Sequence, residues 1–340
     1  MREGSRSASG YNGPVVTFED IRQAHARIRD RIRRTPVERS RSFDERAGLH
    51  CYFKCENLQR GGAFKIRGAT NFILQLDAGQ LRRGVVAYSS GNHAQAVALA
   101  AREAGTQATL VMPADAPRSK LEATRARGAR IVTYDRQRES REAIGEAIAR
   151  ETGATLVPPF DHPWIIAGQG TAAVELLEDV PELDALIAPL GGGGLLSGCA
   201  IAAKALRPQI RVFGAEPERA SDWYLSLAQG RRVRISPPDT IADGLRAPQP
   251  GELTFSLLRE HLEAVLLVSE EEILETMSFL LMRLKLLVEP SGAVAAAAAL
   301  FRKLPPELRS VGVILSGGNV DLDVIRMLPD TDRRQDGKMD

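Results

Sequence analysis

Four short segments of the sequence combine glycines with polar side chains that can do chemistry. In the first, GGAFKIRGATN at 61–71, two glycines precede Phe64 and Lys65. The other three segments are SSGNHAQA at 89–96, PLGGGGLLSG at 189–198 and LSGGNVD at 315–321. A lysine at the start of a helix is most often a solvated surface charge. A reactive role for Lys65 therefore depends on what the other three segments bind.

The segment at 189–198 places four consecutive glycines, Gly191 to Gly194, between an apolar strand and a predicted helix. Glycines allow backbone amides to approach an anion without an intervening side chain, and the N-terminus of a helix adds positive potential. The pattern therefore predicts that this loop binds a phosphate. A Walker P-loop is excluded, because no Gly-Lys-Ser or Gly-Lys-Thr follows the glycines.

The same loop leaves a dinucleotide open as its ligand. Gly192 and Gly194 begin a G-x-G-x-x-G pattern, although Ser197 stands where the third glycine is expected. Glu216 closes the next predicted strand, at about the distance expected for an acid that binds ribose. From this loop alone, a nicotinamide-dependent dehydrogenase and an enzyme with a simpler phosphate cofactor are equally supported.

Polar side chains also follow two other predicted strands. Four of them lie at one strand-to-helix junction, namely Ser89, Ser90, Asn92 and His93. Together they form a cluster of neutral donors suited to a carboxylate, whereas a helix cap explains one of them only. We interpret His93 as a supporting contact. Ser316 ends the last strong strand, where its hydroxyl can reach a ligand in the crevice beyond the sheet.

Composition narrows the class of protein. The chain has 340 residues, of which 26% are charged and 44% hydrophobic, which is ordinary for a soluble globular protein. Its 45 basic and 43 acidic side chains give a net charge of +2, so no global field points to nucleic acid or to a membrane. Residues 24–36 are rich in arginine, but without interleaved aromatic residues they fit the solvated face of a helix better than a nucleic-acid arm.

Other features favour a cytoplasmic protein. No apolar run is long enough to span a membrane, and the first residues lack the hydrophobic stretch of a secretory signal. The three cysteines, Cys51, Cys55 and Cys199, are too few for a disulfide framework, and the first two lack nearby partners for a zinc site. We therefore expect a reducing compartment. Residues 1–16 are interpreted as a disordered lead-in.

Short apolar runs alternate with helix-like segments through most of the chain, which is the pattern of βαβ units. The predicted strands are residues 85–89, 108–113, 130–135, 184–190, 211–217 and 311–316. Such units give parallel sheets that are covered by helices on both faces, and their ligands lie beyond the carboxyl ends of the strands. The sequence therefore predicts an α/β protein whose polar loops meet at that edge.

The proline-rich segment at 156–171, which shows no helical start before Ile165, separates the first three βα units from the later ones. We therefore predict two doubly wound domains with mainly parallel sheets. The large domain takes residues 17–80 plus 160–328, the small domain residues 81–159, and the tail residues 329–340. A site between two such domains would draw on loops from each.

Taken in order, the four segments resemble one family. KCENLQRGGAFKIRGATN, SSGNHAQA, LGGGGLLSG and LSGGN look like the motifs of the fold-type II pyridoxal-phosphate enzymes, whose fold is like that of tryptophan synthase β. The resemblance is to the serine/threonine dehydratase and serine racemase group, and PPFDHPWIIAGQGT and TIADGLR extend it over roughly residues 17 to 328. A dehydrogenase falls behind, because it explains neither Lys65 nor SGGN.

The resemblance implies a pyridoxal 5'-phosphate cofactor and a role for each segment. By this resemblance, Lys65 forms the Schiff base with the cofactor, and Phe64 lies against the pyridine ring. Asn92 contacts the ring hydroxyl, and Ser316 faces the pyridine nitrogen. The phosphate is held by Gly191, Gly192, Gly193, Gly194 and Leu195. A lysine can react in this way only if its amine loses its proton, which partial desolvation beside Phe64 favours.

By the same resemblance, the chain is a threonine or serine ammonia-lyase, classed by its dehydration step as a carbon–oxygen lyase. It eliminates water from a β-hydroxy amino acid and gives a 2-oxo acid and ammonia. Lys65, once freed, takes the α-proton as general base, and the neutral hydroxyl of Ser316 suits rapid loss of a β-substituent. The substrate carboxylate is bound by Ser89, Ser90, Asn92 and His93. Such enzymes are commonly homodimers or homotetramers.

Several features keep alternatives open. Ser90 resembles the second acid/base serine of serine racemases, so an amino-acid racemase with dehydratase side activity is the nearest alternative. Arg141 aligns with a small-domain arginine that approaches acidic substrates in relatives, and it favours 3-hydroxyaspartate as substrate. Ala63, where a serine is common, and the proline-rich segment 246–255 weaken the racemase interpretation. A binding protein without catalytic activity would require an unmodified Lys65.

A divalent cation is also implied. Glu216, the carbonyl of Ala220 and Asp222 match positions that hold Mg²⁺ or Ca²⁺ in some members of the family, and oxygen ligands suit these hard cations. An acid that caps the next segment explains these residues equally well, since two carboxylates make a sparse site. Glu289, in VEPSGA, matches a carboxylate that borders the site in relatives, and its role stays open.

Overall fold

The computed structural model describes residues 15–89, 91–116, 118–135 and 137–329, which form two β-sheets surrounded by helices. The strands are β1 (Val37–Glu38), β2 (His50–Cys55), β3 (Val85–Tyr88), β4 (Ala108–Pro113), β5 (Arg130–Tyr134), β6 (Thr155–Leu156), β7 (Ala185–Pro189), β8 (Arg211–Pro217), β9 (Ala264–Val268) and β10 (Ser310–Leu315). The helices are α1 (Phe18–Ile28), α2 (Arg41–Ala47), α3 (Lys65–Ile73), α4 (Ala78–Arg83), α5 (Asn92–Glu103), α6 (Arg118–Ala126), α7 (Arg141–Thr152), α8 (Pro163–Asp179), α9 (Gly194–Leu206), α10 (Asp222–Gln229), α11 (Glu252–Leu258), α12 (Glu270–Phe279), α13 (Pro290–Leu300) and α14 (Leu322–Arg326).

The larger sheet has six strands in the order β1-β2-β10-β7-β8-β9, and the smaller has four in the order β5-β4-β3-β6. Neighbouring strands are parallel except β1 and β2, which are antiparallel. Every residue of β7 is buried, because helices cover both faces of the sheet, and this explains its continuous apolar run. The predicted α/β class with mainly parallel sheets is confirmed, and each of the six predicted strands forms.

The four strands of the smaller sheet lie between residues 85 and 156, inside the segment predicted as the small domain. The limits of the two domains, 17–80 plus 160–328 and 81–159, stay predictions. Residues 1–14 and 330–340, which include most of the predicted lead-in and tail, lie outside the described residues. Among the helices that the structure describes, none has the length and apolar character needed to cross a membrane.

Small residues allow three helices to pack closely beside the larger sheet. A Cβ atom on Gly198 of α9 would lie 2.2 Å from the carbonyl oxygen of Ile166 in α8. A Cβ atom on Gly168 of α8 would likewise lie 2.7 Å from the Cα atom of Gly68 in α3. Any side chain at these positions would clash with a neighbouring backbone. The start of α3, which carries Lys65, is therefore held directly against α8.

One predicted helix start is wrong. Helix α8 begins at Pro163 and not at Ile165. Proline suits the first turn of a helix, because the N–H that it lacks has no partner there in any case. His162 precedes the helix, and its Nδ1 accepts the N–H of Trp164 at 3.1 Å. The cap was missed because histidine is not among the usual capping residues.

The arginine-rich stretch at 24–36 is only partly helical. Helix α1 ends at Ile28. Arg34 lies beyond the helix, where its guanidinium donates to the carboxylates of Glu178 and Asp179 at 2.6 Å each. The helical spacing of the arginines therefore continues for several residues past the end of the helix.

Candidate active site

Lys65 is the first residue of α3 and lies beside the carboxyl end of β10. The Phe64 N–H donates to the carbonyl of Ser316, which follows β10, at 3.0 Å. The Lys65 Nζ atom donates to the Pro159 carbonyl at 2.7 Å and lies 5.1 Å from the centroid of the Phe64 ring. Burial lowers the pKa of Lys65 to about 8. More of its amine is therefore neutral near pH 7 than in an ordinary surface lysine.

The loop after β10 pairs with the loop before Lys65. Ala63 and Gly317 form an antiparallel bridge, and the Gly318 N–H donates to the carbonyl of Gly62 at 2.8 Å. Ser316 itself is only 3% exposed. These bonds bring together two of the four segments that the sequence predicts to form the site.

The glycine loop has the geometry of an anion site. Gly193 has a left-handed backbone with φ of 95°, and the structure describes no side-chain cap where α9 begins at Gly194. The N–H groups of the first turn therefore face outward from the helix end. A Cβ atom on Gly192 would lie 2.3 Å from the Phe160 ring, and one on Gly193 would lie 2.5 Å from the Trp223 ring. Because the two aromatic rings leave no room for side chains here, the loop consists of backbone atoms only.

Three side chains that the sequence patterns did not indicate hold this loop and its surroundings. Trp223 Nε1 donates to the Gly191 carbonyl at 2.5 Å, and Thr254 Oγ1 donates to the Gly192 carbonyl at 2.7 Å. Asp161 accepts the N–H of Thr254 at 3.0 Å and so ties the proline-rich segment to the start of α11. The signals for these residues are absent because their partners are distant in sequence.

The proline-rich segment connects the lysine to the glycine loop. The Pro159 carbonyl accepts the Lys65 amine, and the next residue, Phe160, covers the start of α9. A Cβ atom on Gly194 would lie 2.9 Å from the Phe160 carbonyl oxygen. Leu195 follows with its side chain buried in the core. The predicted Schiff-base lysine and the predicted phosphate loop thus flank one short segment.

Asn92 brings the start of α5 to the same place. Its Nδ2 donates to Glu289 Oε1 at 2.6 Å, and its Oδ1 accepts from Asn319 Nδ2 at 2.8 Å. Glu289 is 3% exposed, and its N–H donates to the Gly317 carbonyl at 3.0 Å. One role of Glu289, which the sequence left open, is therefore to bind the carboxamide of Asn92. Asn319, the last residue of SGGN, was not predicted as a site residue.

His93 and Ser90 both follow strand β3, but the structure describes only His93. His93 is buried, and its Nε2 lies 3.0 Å from the carbonyl oxygen of Val157. Burial lowers the pKa of His93 to about 3, helped by the charges of Lys65 and Arg141, so the neutral ring donates to Val157. The contact of His93 with the substrate carboxylate stays a prediction. Ser90 lies outside the described residues.

Arg141, the first residue of α7, lies beside the end of β3. Its guanidinium carbon is 5.9 Å from the centroid of the Tyr88 ring, and its Nε donates to Glu142 Oε1 at 2.8 Å. Tyr88 is the last residue of β3, and the Oγ of the following Ser89 accepts the Gly91 N–H at 3.2 Å. Arg141 is therefore close to the segment predicted to bind the substrate carboxylate.

Glu216 and Asp222, the two acids predicted to bind a cation, are buried behind the glycine loop. Glu216 accepts the N–H groups of Trp223 and Tyr224 at 3.1 and 3.0 Å, and so caps α10. Neither carboxylate oxygen of Asp222 has a hydrogen-bond partner in the part of the chain that the structure describes. Burial raises the pKa of Asp222 to about 7, and burial together with Asp222 raises the pKa of Glu216. Ala220, which lies between the two acids in the sequence, is also buried.

The model of a family described as "Pyridoxal-phosphate dependent enzyme" matches residues 28–317 of the chain. The chain belongs to this family. It is 49% identical over 308 residues to the L-threo-3-hydroxyaspartate ammonia-lyase of Saccharomyces cerevisiae. The aligned region covers 91% of this chain and 94% of that protein. The serine racemase of Schizosaccharomyces pombe is 44% identical over 309 residues, or 91% of this chain and 96% of that protein. Maize serine racemase, a solved structure, matches with a TM-score of 0.89 and 46% identity over 92% of this chain and 96% of that one.

The predicted family, the fold-type II fold and the class of pyridoxal-phosphate-dependent lyase are confirmed. The class name needs one correction: the ammonia-lyases among the relatives are carbon–nitrogen lyases, because the bond to the amine is also broken. The match sets aside the dehydrogenase, since that interpretation used the glycine loop for a dinucleotide. The oligomeric state and the cytoplasmic location stay predictions.

The residues of the site fit pyridoxal phosphate. The glycine loop offers a bare backbone at a helix N-terminus for the phosphate, and Lys65 offers an amine with a lowered pKa for the aldehyde. The buried Ser316 lies one loop away and offers a neutral partner for the ring nitrogen. The individual contacts of these residues with the cofactor stay predictions.

We predict that Lys65 of the apoprotein gains its reactivity toward an amine-acylating reagent near pH 8, because burial lowers its pKa to about 8. Below that pH the neutral fraction, and with it the labelling rate, falls about tenfold per pH unit, and above it the rate levels off. Brief labelling across the pH range, followed by mass spectrometry of the peptide that contains Lys65, measures the curve. The unfolded protein, whose lysines have a pKa of about 10.4, is the control. Equal curves of labelling rate against pH in the two states would contradict the prediction.

Proposed function

We propose that the chain is an ammonia-lyase that eliminates water from a β-hydroxy amino acid and releases a 2-oxo acid and ammonia. We propose L-threo-3-hydroxyaspartate as the preferred substrate, ahead of L-serine and L-threonine. The observation that carries the proposal is the position of the Lys65 amine, which lies between the glycine loop and the Ser316 loop with a lowered pKa. Bound pyridoxal phosphate supplies an electron sink for the charge that develops at the α-carbon.

Proton transfer and binding are left to residues of the chain. The neutral amine of Lys65 takes the α-proton of the substrate, and a pKa near the working pH suits a group that must accept and return a proton. The uncharged hydroxyl of Ser316 interacts with the ring nitrogen less strongly than a carboxylate would, which favours rapid loss of the β-hydroxyl. The first turn of α9 holds the phosphate.

The holoenzyme, assayed separately with L-serine, L-threonine and L-threo-3-hydroxyaspartate, tests this proposal. We expect a 2-oxo acid and ammonia in equal amounts from each accepted substrate, with the highest kcat/KM for 3-hydroxyaspartate. If none of the three amino acids gives a 2-oxo acid, the proposed elimination is wrong. If serine or threonine has the highest kcat/KM, the elimination stands and the proposed substrate preference is wrong.

Support for an acidic substrate comes from Arg141 and from the relatives. The guanidinium carbon of Arg141 lies 5.9 Å from the centroid of the Tyr88 ring at the end of β3, and its charge helps to lower the pKa of His93. Its Nε is paired with Glu142, while the side chain as a whole stays 46% exposed. The guanidinium has further donors that suit a second carboxylate. A relative of the chain is named as an enzyme for L-threo-3-hydroxyaspartate.

We predict that Arg141→Met lowers kcat/KM for L-threo-3-hydroxyaspartate by roughly 10- to 100-fold and changes kcat/KM for L-serine less than threefold. A hydrogen bond to a charged group contributes about 1.5–3 kcal/mol, and about 1.4 kcal/mol is a factor of ten. Arg150→Met, on the exposed face of the same helix, is the matched control, since Arg150 pairs only at the surface with Glu146. Equal losses for the two substrates would contradict a role in substrate choice.

Racemisation is a second candidate function. It is supported by the similarity to serine racemases and by the serine at position 90, which resembles the racemase acid/base serine. Chiral analysis of L-serine after incubation with the holoenzyme, alongside measurement of pyruvate, separates the two functions. D-Serine that forms faster than pyruvate would make racemisation the main activity, and pyruvate alone would exclude it.

We also propose that Glu216, the Ala220 carbonyl and Asp222 bind Mg²⁺ or Ca²⁺. The two Asp222 oxygens are buried without a hydrogen-bond donor among the described residues, and burial raises the pKa of this carboxyl, so a bound cation would take the place of a proton there. Trp223, the next residue, donates to the glycine loop, so an ordered cation would also brace the phosphate site. The cap that Glu216 forms on α10 is compatible with this role.

We predict that chelation of divalent cations lowers the Tm of the holoenzyme and that added Mg²⁺ or Ca²⁺ restores it. A cation at 100 times its Kd stabilises a protein by about 2.7 kcal/mol. Asp222→Asn removes a negative ligand, and its Tm is expected not to respond to either cation. Thermal unfolding with and without chelator measures the effect. An equal response of the wild type and Asp222→Asn to the cation would contradict this site.

A further inference from the structure

A row of hydrogen bonds connects the loop before Lys65 with helix α5 through the side-chain carboxamides of Asn319 and Asn92. Asn319 Nδ2 donates to the Gly61 carbonyl at 2.7 Å and to Asn92 Oδ1 at 2.8 Å. Asn92 Nδ2 in turn donates to Glu289 Oε1 at 2.6 Å. The row therefore starts at a backbone carbonyl and ends at a carboxylate. Neither of these groups can donate a hydrogen bond when the carboxylate is ionised.

The two acceptors at its ends fix the orientation of both carboxamides. If Asn319 were turned over, its Oδ1 would face the oxygen of Gly61. If Asn92 were turned over, its Oδ1 would face the carboxylate of Glu289, and two Nδ2 groups would face each other. Each alternative exchanges hydrogen bonds for repulsion between like partial charges. Only one orientation satisfies every contact.

Asn319 is held firmly enough to impose this order. A Cβ atom on Gly62 would lie 2.2 Å from Asn319 Oδ1, so the side chain occupies space that only a glycine leaves open. Gly62 has a left-handed backbone with φ of 76°, and its carbonyl accepts the Gly318 N–H at 2.8 Å. The glycine pair before Ala63 thus forms a seat for the Asn319 side chain.

We infer that Asn319 is a positioning residue for the cofactor. Through the row of hydrogen bonds it keeps the Nδ2 group of Asn92 as the donor on that side of the cofactor site, where it can donate to the ring oxygen of pyridoxal phosphate, which accepts a hydrogen bond as a phenolate. Because Nδ2 carries two hydrogens and Glu289 takes one, a second remains for a ligand. The inference rests on the cofactor of the proposed function and on the predicted contact of Asn92, but on no particular substrate.

Asn319→Asp tests the inference, since it keeps the shape and replaces the donor by an acceptor. The new carboxylate faces the Gly61 carbonyl and attracts Asn92 Nδ2, which turns the Asn92 oxygen toward the cofactor site. We expect the Kd of the apoprotein for pyridoxal phosphate to rise at least about tenfold, the size of one hydrogen bond to a charged group. We also expect the visible absorption maximum of the bound cofactor to shift. Spectroscopic titration without substrate measures both.

Two comparisons separate positioning from general damage to the fold. Asn57→Asp is the matched control, because Asn57 Nδ2 donates to the Leu287 carbonyl at 3.1 Å, a bond of the same kind that does not involve Asn92. In an Asn92→Ala background, Asn319→Asp should change the Kd less than about twofold, since the group it positions is absent. An equal effect of Asn57→Asp, or an undiminished effect without Asn92, would overturn the inference.

Asn319→Ala replaces the aspartate variant in the same cycle if the aspartate variant does not fold. It removes both donors without adding a charge, and the same loss of effect in the Asn92→Ala background is expected. Because the titration contains no amino acid, its outcome does not depend on the proposed reaction. Failure of elimination with normal cofactor binding counts against the proposed function alone.

Discussion

Lys65→Ala is expected to lower kcat for elimination by at least about 10³-fold while the protein stays folded. In the proposed mechanism, the variant loses the amine that binds the cofactor aldehyde and the base that takes the α-proton, and general base catalysis alone contributes about 10²–10⁴-fold. Its amine makes a single described hydrogen bond, to the Pro159 carbonyl, so removal leaves the fold with little to lose. Elimination is measured as release of 2-oxo acid under saturating cofactor and substrate.

Lys204→Ala is a suitable control for this prediction, because Lys204 lies near the end of α9, away from the glycine loop, and keeps the same change of residue type. The control is expected to retain the activity of the wild type. Addition of a small primary amine to Lys65→Ala is expected to restore part of the proton transfer. Full activity in Lys65→Ala would remove the basis of the proposed function, since that function assigns both cofactor binding and proton transfer to the Lys65 amine.

Arg67→Met is expected to lower the free energy of unfolding by about 3–5 kcal/mol. Arg67 is fully buried two residues after Lys65. It donates to both oxygens of Glu56 at 2.7 and 2.8 Å, and to both oxygens of Glu175 at 2.7 Å. Lys54 Nζ, also buried, lies 2.7 Å from Glu175. The cluster therefore balances two positive with two negative side chains, and methionine would leave one carboxylate uncompensated in the interior.

Urea unfolding of the apoprotein measures this loss. Arg41→Met is the control, because Arg41 is 93% exposed in its side chain and pairs with Glu45 at 2.9 Å on the surface. Such pairs contribute less than about 1 kcal/mol. Adding Glu56→Gln to Arg67→Met should recover part of the stability, since Glu175 still pairs with Lys54 and Glu56 carries the uncompensated charge. A loss in Arg67→Met no larger than that of Arg41→Met would contradict the prediction.

Much of the fold follows from local patterns. Strands such as Ala185–Pro189 are apolar without interruption because both faces of the sheet are covered, and the sequence shows this directly. The glycine loop and the polar residues at strand ends were singled out because they are local features too, whereas the roles of Lys65 and Ser316 came from the resemblance to a family. The short strands β1 and β6, of two residues each, are too brief to give a pattern. Strand β9 was missed although it has five apolar residues.

Contacts between distant segments escaped prediction for a different reason. Arg67 occurs in a stretch where an arginine is most often solvated, and its burial depends on Glu56 and Glu175 from other elements. Thr254 supports the glycine loop from the far side of the proline-rich segment 246–255, whose composition does not indicate a contact. Asn319 was not predicted as a site residue, because its partner Asn92 lies at the start of α5, far away in the sequence. Each of these roles is defined by a partner that sequence spacing does not reveal.

The contact of Gly68 with Gly168 has a consequence for anyone who wishes to redesign this enzyme. It holds α3, three residues after Lys65, against α8, so side chains introduced at Gly68 or Gly168 are expected to destabilise the fold. Diversity is better spent at Arg141, Glu142 and residues 246–249, whose side chains are at least partly exposed. The same close contact keeps this part of the backbone in place. New substrate pockets can therefore be screened without disturbing the position of the Lys65 amine.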